Sequence, residues 1–178
     1  MPEPEARHRA GRPAAIEVRP VRPTEHERLG RLIVAAYRAL PGAVDEPDYE
    51  RELADVAARA ASATVLVAVD AAETVLGGVT YVDGPGNPWA ERLSAGDAGM
   101  RMLAVDPSAQ GRGIGRLLVE AVVARARAAG RRRLVLHTTP WMVSAHRLYE
   151  RLGFRRAPEL DWQPLPKVPL RAYVLDLG

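Results

Sequence analysis

The 178-residue chain contains no cysteine. That removes disulfides, thiolate metal sites, iron-sulfur clusters and any acyl-enzyme built on sulfur, and it fits a reducing compartment. Lysine is almost as scarce. Lys167 is the only one, and it stands among Pro164, Pro166 and Pro169 rather than in the setting a P-loop or Schiff-base lysine requires. The four histidines, His8, His26, His137 and His146, show no ligand spacing, so no metal is expected. No apolar run approaches the ~18 residues that cross a bilayer. The opening MPEPEARHRAGRPAA also lacks the apolar core of a signal peptide. A cytoplasmic protein without a membrane partner is expected.

What is present is a balance of 47% apolar and 26% charged residues, enough to fold one soluble domain. Residues 1–14, rich in Pro, Arg, Glu and Ala, read as a mobile tail, and 15–178 as a single domain. The net charge is only +3. Between Arg101 and Arg156, however, twelve arginines face only Asp106, Glu120 and Glu150, a local +9 that calls for an anionic partner. Nucleic acid is disfavoured, because none of the nine aromatics is interleaved with Arg125, Arg127 and Arg131 to Arg133, and no helix-turn-helix, RRM or zinc pattern occurs. A solvated helix end is the plainer account of that cluster.

Periodicity predicts a short strand at Ile16 to Val18 and a helix capped by Thr24 that runs to Leu40, with Leu29, Leu32, Ile33 and Ala36 on one face. A second helix is expected over Asp48 to Ala60. A hairpin follows, from Thr64 to Val69 and Thr74 to Val82, and then a loop from Asp83 to Gly99. Met100 to Val105 reads as a strand. A long helix from Arg112 presents Ile114, Leu117, Leu118, Ala121, Val122, Ala128 and Ala129, and ends at Gly130. A strand at Arg133 to Thr138 completes a right-handed βαβ crossover with parallel strands. A helix from Trp141 carries Ala145, Leu148, Tyr149 and Leu152 and is capped by Gly153. Arg171 to Leu177 is the last strand.

The segment MLAVDPSAQGRGIGRLL, residues 102–118, carries the chemistry. Gly111, Gly113 and Gly115 leave N–H groups unshielded where a helix begins, a cradle for an anion, with Arg112 and Arg116 beside it. A plain tight turn would use the same glycines. The G-x-G-x-x-G fingerprint of dinucleotides fails, since Arg116 or Leu118 stands where the last glycine belongs.

Gln110-Gly111-Arg112-Gly113-Ile114-Gly115 resembles the Q/R-x-x-G-x-G/A signature of the GNAT N-acetyltransferases. Ala145-His146-Arg147-Leu148-Tyr149-Glu150-Arg151-Leu152-Gly153-Phe154 is similar to that family's A-x-x-x-Y-x-x-x-G-F segment. The likeness spans residues 16–177 and is specific over 100–156. It implies an α/β fold, a mixed and mainly antiparallel sheet with helices on both faces. The fourth and fifth strands, Met100 to Val105 and Arg133 to Thr138, would be a splayed parallel pair.

It further implies acetyl-CoA as acyl donor and a small-molecule, peptide or protein amine as acceptor, with a homodimer left open. By similarity, the Leu103 N–H would bond the acetyl carbonyl, while Ala104 and Val105 would pair with pantetheine. Gln110, Gly111, Arg112, Gly113, Ile114, Gly115 and Arg116 would hold the pyrophosphate. Tyr149 would protonate the departing thiolate, a transfer that a phenol of pKa ~10 can make to a thiolate whose acid lies near ~8.5. The same tyrosine also fits an apolar helix face as a core residue.

Met142 stands where the family often has asparagine, and Ser144 is the nearest polar substitute. Gly99 occupies the position of the glutamate base of histone-type members, which leaves Asp97, His137 or water as base. Both side chains also have an ordinary structural reading. The acceptor would enter between Tyr37 to Tyr49, where Asp45, Glu46 and Asp48 would favour a cation, and the Pro-rich loop Pro158 to Pro169 with Trp162. Competing functions are a non-catalytic acyl-CoA sensor on the same fold and an arginine-rich nucleic-acid module.

Overall fold

The computed structural model describes residues 15–43 and 45–178; the expected tail, 1–14, lies outside them. β1 (Glu17–Pro20) leads through a 3-10 turn, Pro23–Glu25, into α1 (His26–Arg38). Thr24 therefore sits inside the turn and does not cap the helix. The Glu25 carboxylate closes this corner instead, accepting the Arg22 N–H at 2.7 Å and pairing with Arg19. The single helix expected over Asp48 to Ala60 is two, α2 (Pro47–Ala54) and α3 (Val56–Ser62). Asp55 divides them, because its carboxylate accepts the Ala58 N–H at 2.9 Å and so starts a new helix rather than continuing the old one.

The hairpin forms as expected from β2 (Thr64–Val69) and β3 (Val75–Val82), its turn closed by Asp70 Oδ1 accepting the N–H groups of Ala72 and Thr74. β4 (Asp97–Val105) begins three residues inside the segment read as loop. α4 (Ile114–Ala128), β5 (Arg133–Thr138) and α5 (Val143–Arg151) follow. On α4, Ile114, Leu118, Val119, Val122 and Ala126 are buried, whereas Leu117, Ala128 and Ala129, assigned to its apolar face from periodicity, are exposed. The true stripe repeats every four residues and is narrower than the composition suggests. The Pro-rich stretch is structured: after β6 (Arg155–Arg156), β7 (Trp162–Leu165) turns at Lys167 into β8 (Val168–Asp176).

The strands form one sheet in the order β1-β2-β3-β4-β5-β8-β6, with β7 paired onto β8. Every neighbouring pair is antiparallel except β4–β5. α4 and Tyr149 of α5 pack on one face, over Leu66, Tyr81, Ala98, Met100 and Leu136. α1, α2 and α3 cover the other, over Val65, Val67, Val69, Met102 and Ala104. This is the α/β arrangement expected, with the parallel pair at its centre. Among the described residues no helix is long and apolar enough to cross a membrane.

Candidate active site

β4 and β5 pair only from Asp97↔Arg133 to Met100↔Leu136, although β4 continues to Val105 and β5 to Thr138. Beyond Met100 the two strands part, leaving the facing edge of residues 101–105 without a strand partner while the other edge stays on β3 as far as Gly77↔Val105. The cause is a bulge. The β3–β4 register shifts between Gly78 and Thr80, placing one extra residue on β4, and buried Met102 takes a left-handed φ of 53°. Such a bulge bends its strand and increases its twist, which turns β4 away from β5.

At the end of β4, Asp106 accepts the Ser108 N–H, and the chain passes through the turn Pro107–Ala109 to the glycines. Gly111 and Gly113 both have φ of 77°, and a side chain on either would meet nothing within 4 Å. Conformation, and free space above it, is what calls for glycine at these two positions. Gly115 has a different reason: a Cβ there would stand 3.3 Å from Leu148 and 3.8 Å from Val105, so the first turn of α4 seats tightly between α5 and β4. Its first-turn N–H groups have no intrahelical acceptors. Gln110 and Arg112 are exposed beside the turn, and Arg116 is paired with Glu120 at 2.7 Å.

Tyr149 projects from α5 into the parting of the strands, where it lines a cavity of about 30 Å³ with Leu103, Leu136, His137 and Met142. Its ring packs on Phe154 and Tyr173. Burial raises its pKa, and no hydrogen bond offsets this. Leu103 and Tyr149 are thus brought together. Ala104 is buried toward α1, Val105 lies at the mouth of the glycine turn, and Ser144 is exposed on the first turn of α5. Met142 receives the Thr138 hydroxyl at 3.4 Å.

A larger cavity of about 610 Å³ adjoins the small one, sharing Tyr37, Arg101, His137 and Met142 with it. It lies between the α1–α2 region and the β7–β8 hairpin, the two segments singled out from sequence, and Glu46 and Asp48 line it. Sequence reasoning missed what fills its inner wall. Glu91 pairs with Arg101 at 2.6 Å, and Arg101 also reaches Glu52 at 3.4 Å and lies over the Trp89 ring. Burial raises the Glu91 pKa. Burial likewise pushes Tyr37, edge-on to Tyr49, up to about 12. Tyr37 and Tyr49 bound the acceptor segment expected from sequence, whereas Glu52, Trp89 and Glu91 carried no pattern that marked them.

Of the two side chains considered as a base, His137 lines both cavities. Asp97 is neither solvated nor near them: it is 4% exposed and gripped by Arg133 through bonds of 3.0 and 2.9 Å, at the closed end of the strand pair. His146 bonds the Thr139 carbonyl at 2.9 Å and packs on Tyr173, a structural role. In the arginine cluster Arg125, Arg127 and Arg132 are exposed, as a solvated helix end would be, and several arginines are also tied to the fold. Arg131 pairs with Asp83 at 2.7 Å, Arg132 donates to the Ala95 carbonyl, Arg133 holds Asp97 and Arg156 holds Asp161. Among the described residues no group of His, Asp or Glu is arranged to hold a metal ion.

Residues 28–154 match the model of the acetyltransferase (GNAT) family. A mycothiol acetyltransferase of Geodermatophilus obscurus is 35% identical over 85 residues, which are 44% of this chain and 28% of that protein, so the chain spans under a third of this curated relative. The structure is similar to that of a GCN5-related N-acetyltransferase from Kribbella flavida, with TM-score 0.69, 25% identity, and 92% and 98% of the two chains covered. It is also similar to a GNAT family acetyltransferase from Brucella melitensis solved in complex with acetyl-CoA, with TM-score 0.63, 24% identity, and 93% and 90% covered. The family match covers more than two thirds of the sequence, and the chain belongs to the acetyltransferase (GNAT) family.

Proposed function

We propose that the chain transfers the acetyl group of acetyl-CoA to a primary amine by direct attack within a ternary complex. The observation that carries this reading is the unpaired edge of β4 from Arg101 to Val105, running into an open glycine turn. Free peptide groups need partners. The amides of pantetheine can supply them as an added strand would, at Ala104 and Val105. A pyrophosphate suits the N–H groups of Gly111, Gly113, Ile114, Gly115 and Arg116, with the Gln110 and Arg112 side chains beside it and its charge favoured by the α4 dipole. Ser144 would face the pantetheine arm. The acetyl-CoA complex of the Brucella relative supports the choice of ligand.

In this reading the Leu103 N–H donates to the acetyl carbonyl and stabilises the charge that grows on its oxygen, and the cavity orients the amine. The nitrogen forms its bond to the carbonyl carbon as the carbon–sulfur bond breaks. Tyr149 gives its hydroxyl proton to the leaving sulfur and regains one from the nitrogen. The other proton lost by the ammonium leaves through a base, so the products are amide, CoA thiol and one proton. With no cysteine in the chain, no thioester on the protein is needed.

The test is calorimetry with acetyl-CoA, together with CoA thiol release across a panel of small amines and peptides. Uptake of acetyl-CoA with amine-dependent thiol release is expected. Absence of uptake by folded protein overturns the reading, and tight uptake without turnover of any amine reassigns the chain as a sensor of acyl-CoA.

A further inference from the structure

The Nε2 atom of His137 lies 3.1 Å from the carbonyl oxygen of Leu160. A carbonyl only accepts, so Nε2 carries a proton; burial lowers the pKa of the ring, which is therefore neutral at pH 7, with Nδ1 bare. Nδ1 has no hydrogen-bond partner, its side chain is 3% exposed, and it faces Glu91 Oε2 at 3.9 Å. The other oxygen of Glu91 is held by Arg101. Two acceptors thus face each other across a gap too wide for a direct bond, with no donor between them. A nitrogen about 2.8 Å from each would see them roughly 90° apart, near enough to tetrahedral N–H directions for two charge-assisted bonds.

We propose that this gap receives the ammonium group of the acceptor, which is a small primary alkylammonium compound, and that Glu91 and His137 together take its proton. The inference deepens the acetyl-transfer reading and rests on it for the chemistry that follows. His137 joins the two cavities, lining the small one with Leu103 and Tyr149 and the large one with Glu91. An amine held by Nδ1 therefore lies next to the place where the acyl group would sit. A cavity of about 610 Å³ suits a small molecule rather than a folded surface. Thr139 and Trp162 line the same cavity, and their buried Oγ1 and Nε1 atoms have no partner among the described residues.

The charged groups around the pair set its balance. Arg101 and Arg92 oppose a charged His137 and Asp161 favours it, while Arg101 favours a charged Glu91 and Glu52 opposes it. Burial outweighs these and moves the carboxyl up and the imidazole down, so their proton affinities move toward each other and each can accept a proton from a nitrogen held between them. One N–H bond of the ammonium breaks, its electron pair stays on nitrogen as the nucleophile, and the proton passes through the pair to water.

Two measurements on the whole protein test this. In ¹⁵N-imidazole NMR, assigned with His137→Gln, resting His137 is expected as the Nε2–H tautomer. Its Nδ1 signal should shift on titration with butylammonium chloride at concentrations at least tenfold below those needed with butanol, and Glu91→Gln should abolish that difference. A proton on Nδ1 at rest, or equal responses to the two probes, overturns the proposal. This readout needs neither acetyl-CoA nor turnover, so it stands apart from the fate of the coenzyme reading. In kinetics, Glu91→Gln and His137→Gln are each expected to lower kcat/KM for small amines at pH 7 at least ~100-fold with acetyl-CoA affinity unchanged. The rate should then follow the free-amine fraction, rising tenfold per pH unit. Retention of more than a tenth of the activity in both folded variants overturns it too.

Discussion

Met100 and Met102 stand two residues apart on β4 yet point to opposite faces of the sheet, Met100 under α4 and Met102 under α1. In a regular strand they would share a face. The left-handed residue between the two registers inverts the alternation, and the same inversion frees the edge of β4. A β-branched side chain tolerates positive φ poorly. Met102→Val is therefore expected to lose about 2–3 kcal/mol in urea unfolding, from backbone strain and lost volume together. It should also weaken acetyl-CoA uptake in calorimetry; a variant as stable as the parent would contradict the bulge as cause of the parting.

Gly113 and Gly130 give a matched pair at the two ends of α4. Both have positive φ, 77° and 68°, and a Cβ on either meets nothing within 4 Å. Alanine at either position should cost about 1 kcal/mol of stability. Only at Gly113 would the methyl project where a pyrophosphate is proposed. Gly113→Ala is expected to weaken CoA binding at least ~10-fold while Gly130→Ala leaves it unchanged. Equal affinities would remove the glycine turn from the binding site.

Tyr149 offers a hydroxyl with no hydrogen bond to lose. Tyr149→Phe should thus unfold within about 0.5 kcal/mol of the parent and bind acetyl-CoA normally. Its kcat is expected to fall ~100-fold or more if the phenol protonates the leaving sulfur. Unchanged turnover would return the residue to the core.

The sequence made β4–α4–β5 legible because an apolar helix stripe, a glycine stop and flanking β-branched runs agree with one another. The glycine turn stood out through its own three glycines, and Tyr149 only through the resemblance of residues 145–154 to the family's A-x-x-x-Y-x-x-x-G-F segment. Met102 carried no such mark, since nothing about a methionine announces positive φ. Asp55 was equally silent: a side chain that caps one helix looks, in a linear pattern, like a polar residue on the face of a longer one. Glu91 could not be found at all, because its chemistry comes from long-range neighbours, Arg101 on β4 and His137 on β5. Two arginines of the run were misread for a related reason, the charges of Arg131 and Arg133 being answered by Asp83 and Asp97 from distant segments.

Asp161 bears on acid stability. The Arg156 guanidinium first, and then the Ala172 N–H, hold its carboxyl below the usual range. A depressed native pKa stabilises above the unfolded value of about 3.9 and is lost as pH falls through the native one. Asp161→Asn is expected to cost about 1 kcal/mol at pH 7, a figure reduced because the side chain is a third exposed. In urea titrations the gap between variant and parent should stay constant down to about pH 5 and close between about pH 4 and 2. A gap that persists at pH 2 would assign the effect to packing.

All three tryptophans of the chain, Trp89, Trp141 and Trp162, border the 610 Å³ cavity. Indole emission from this protein therefore originates at one place, so its colour and intensity follow hydration and occupancy there without a label. A spectrofluorimeter can screen a library of amines against the unmodified protein, whether or not any of them is turned over.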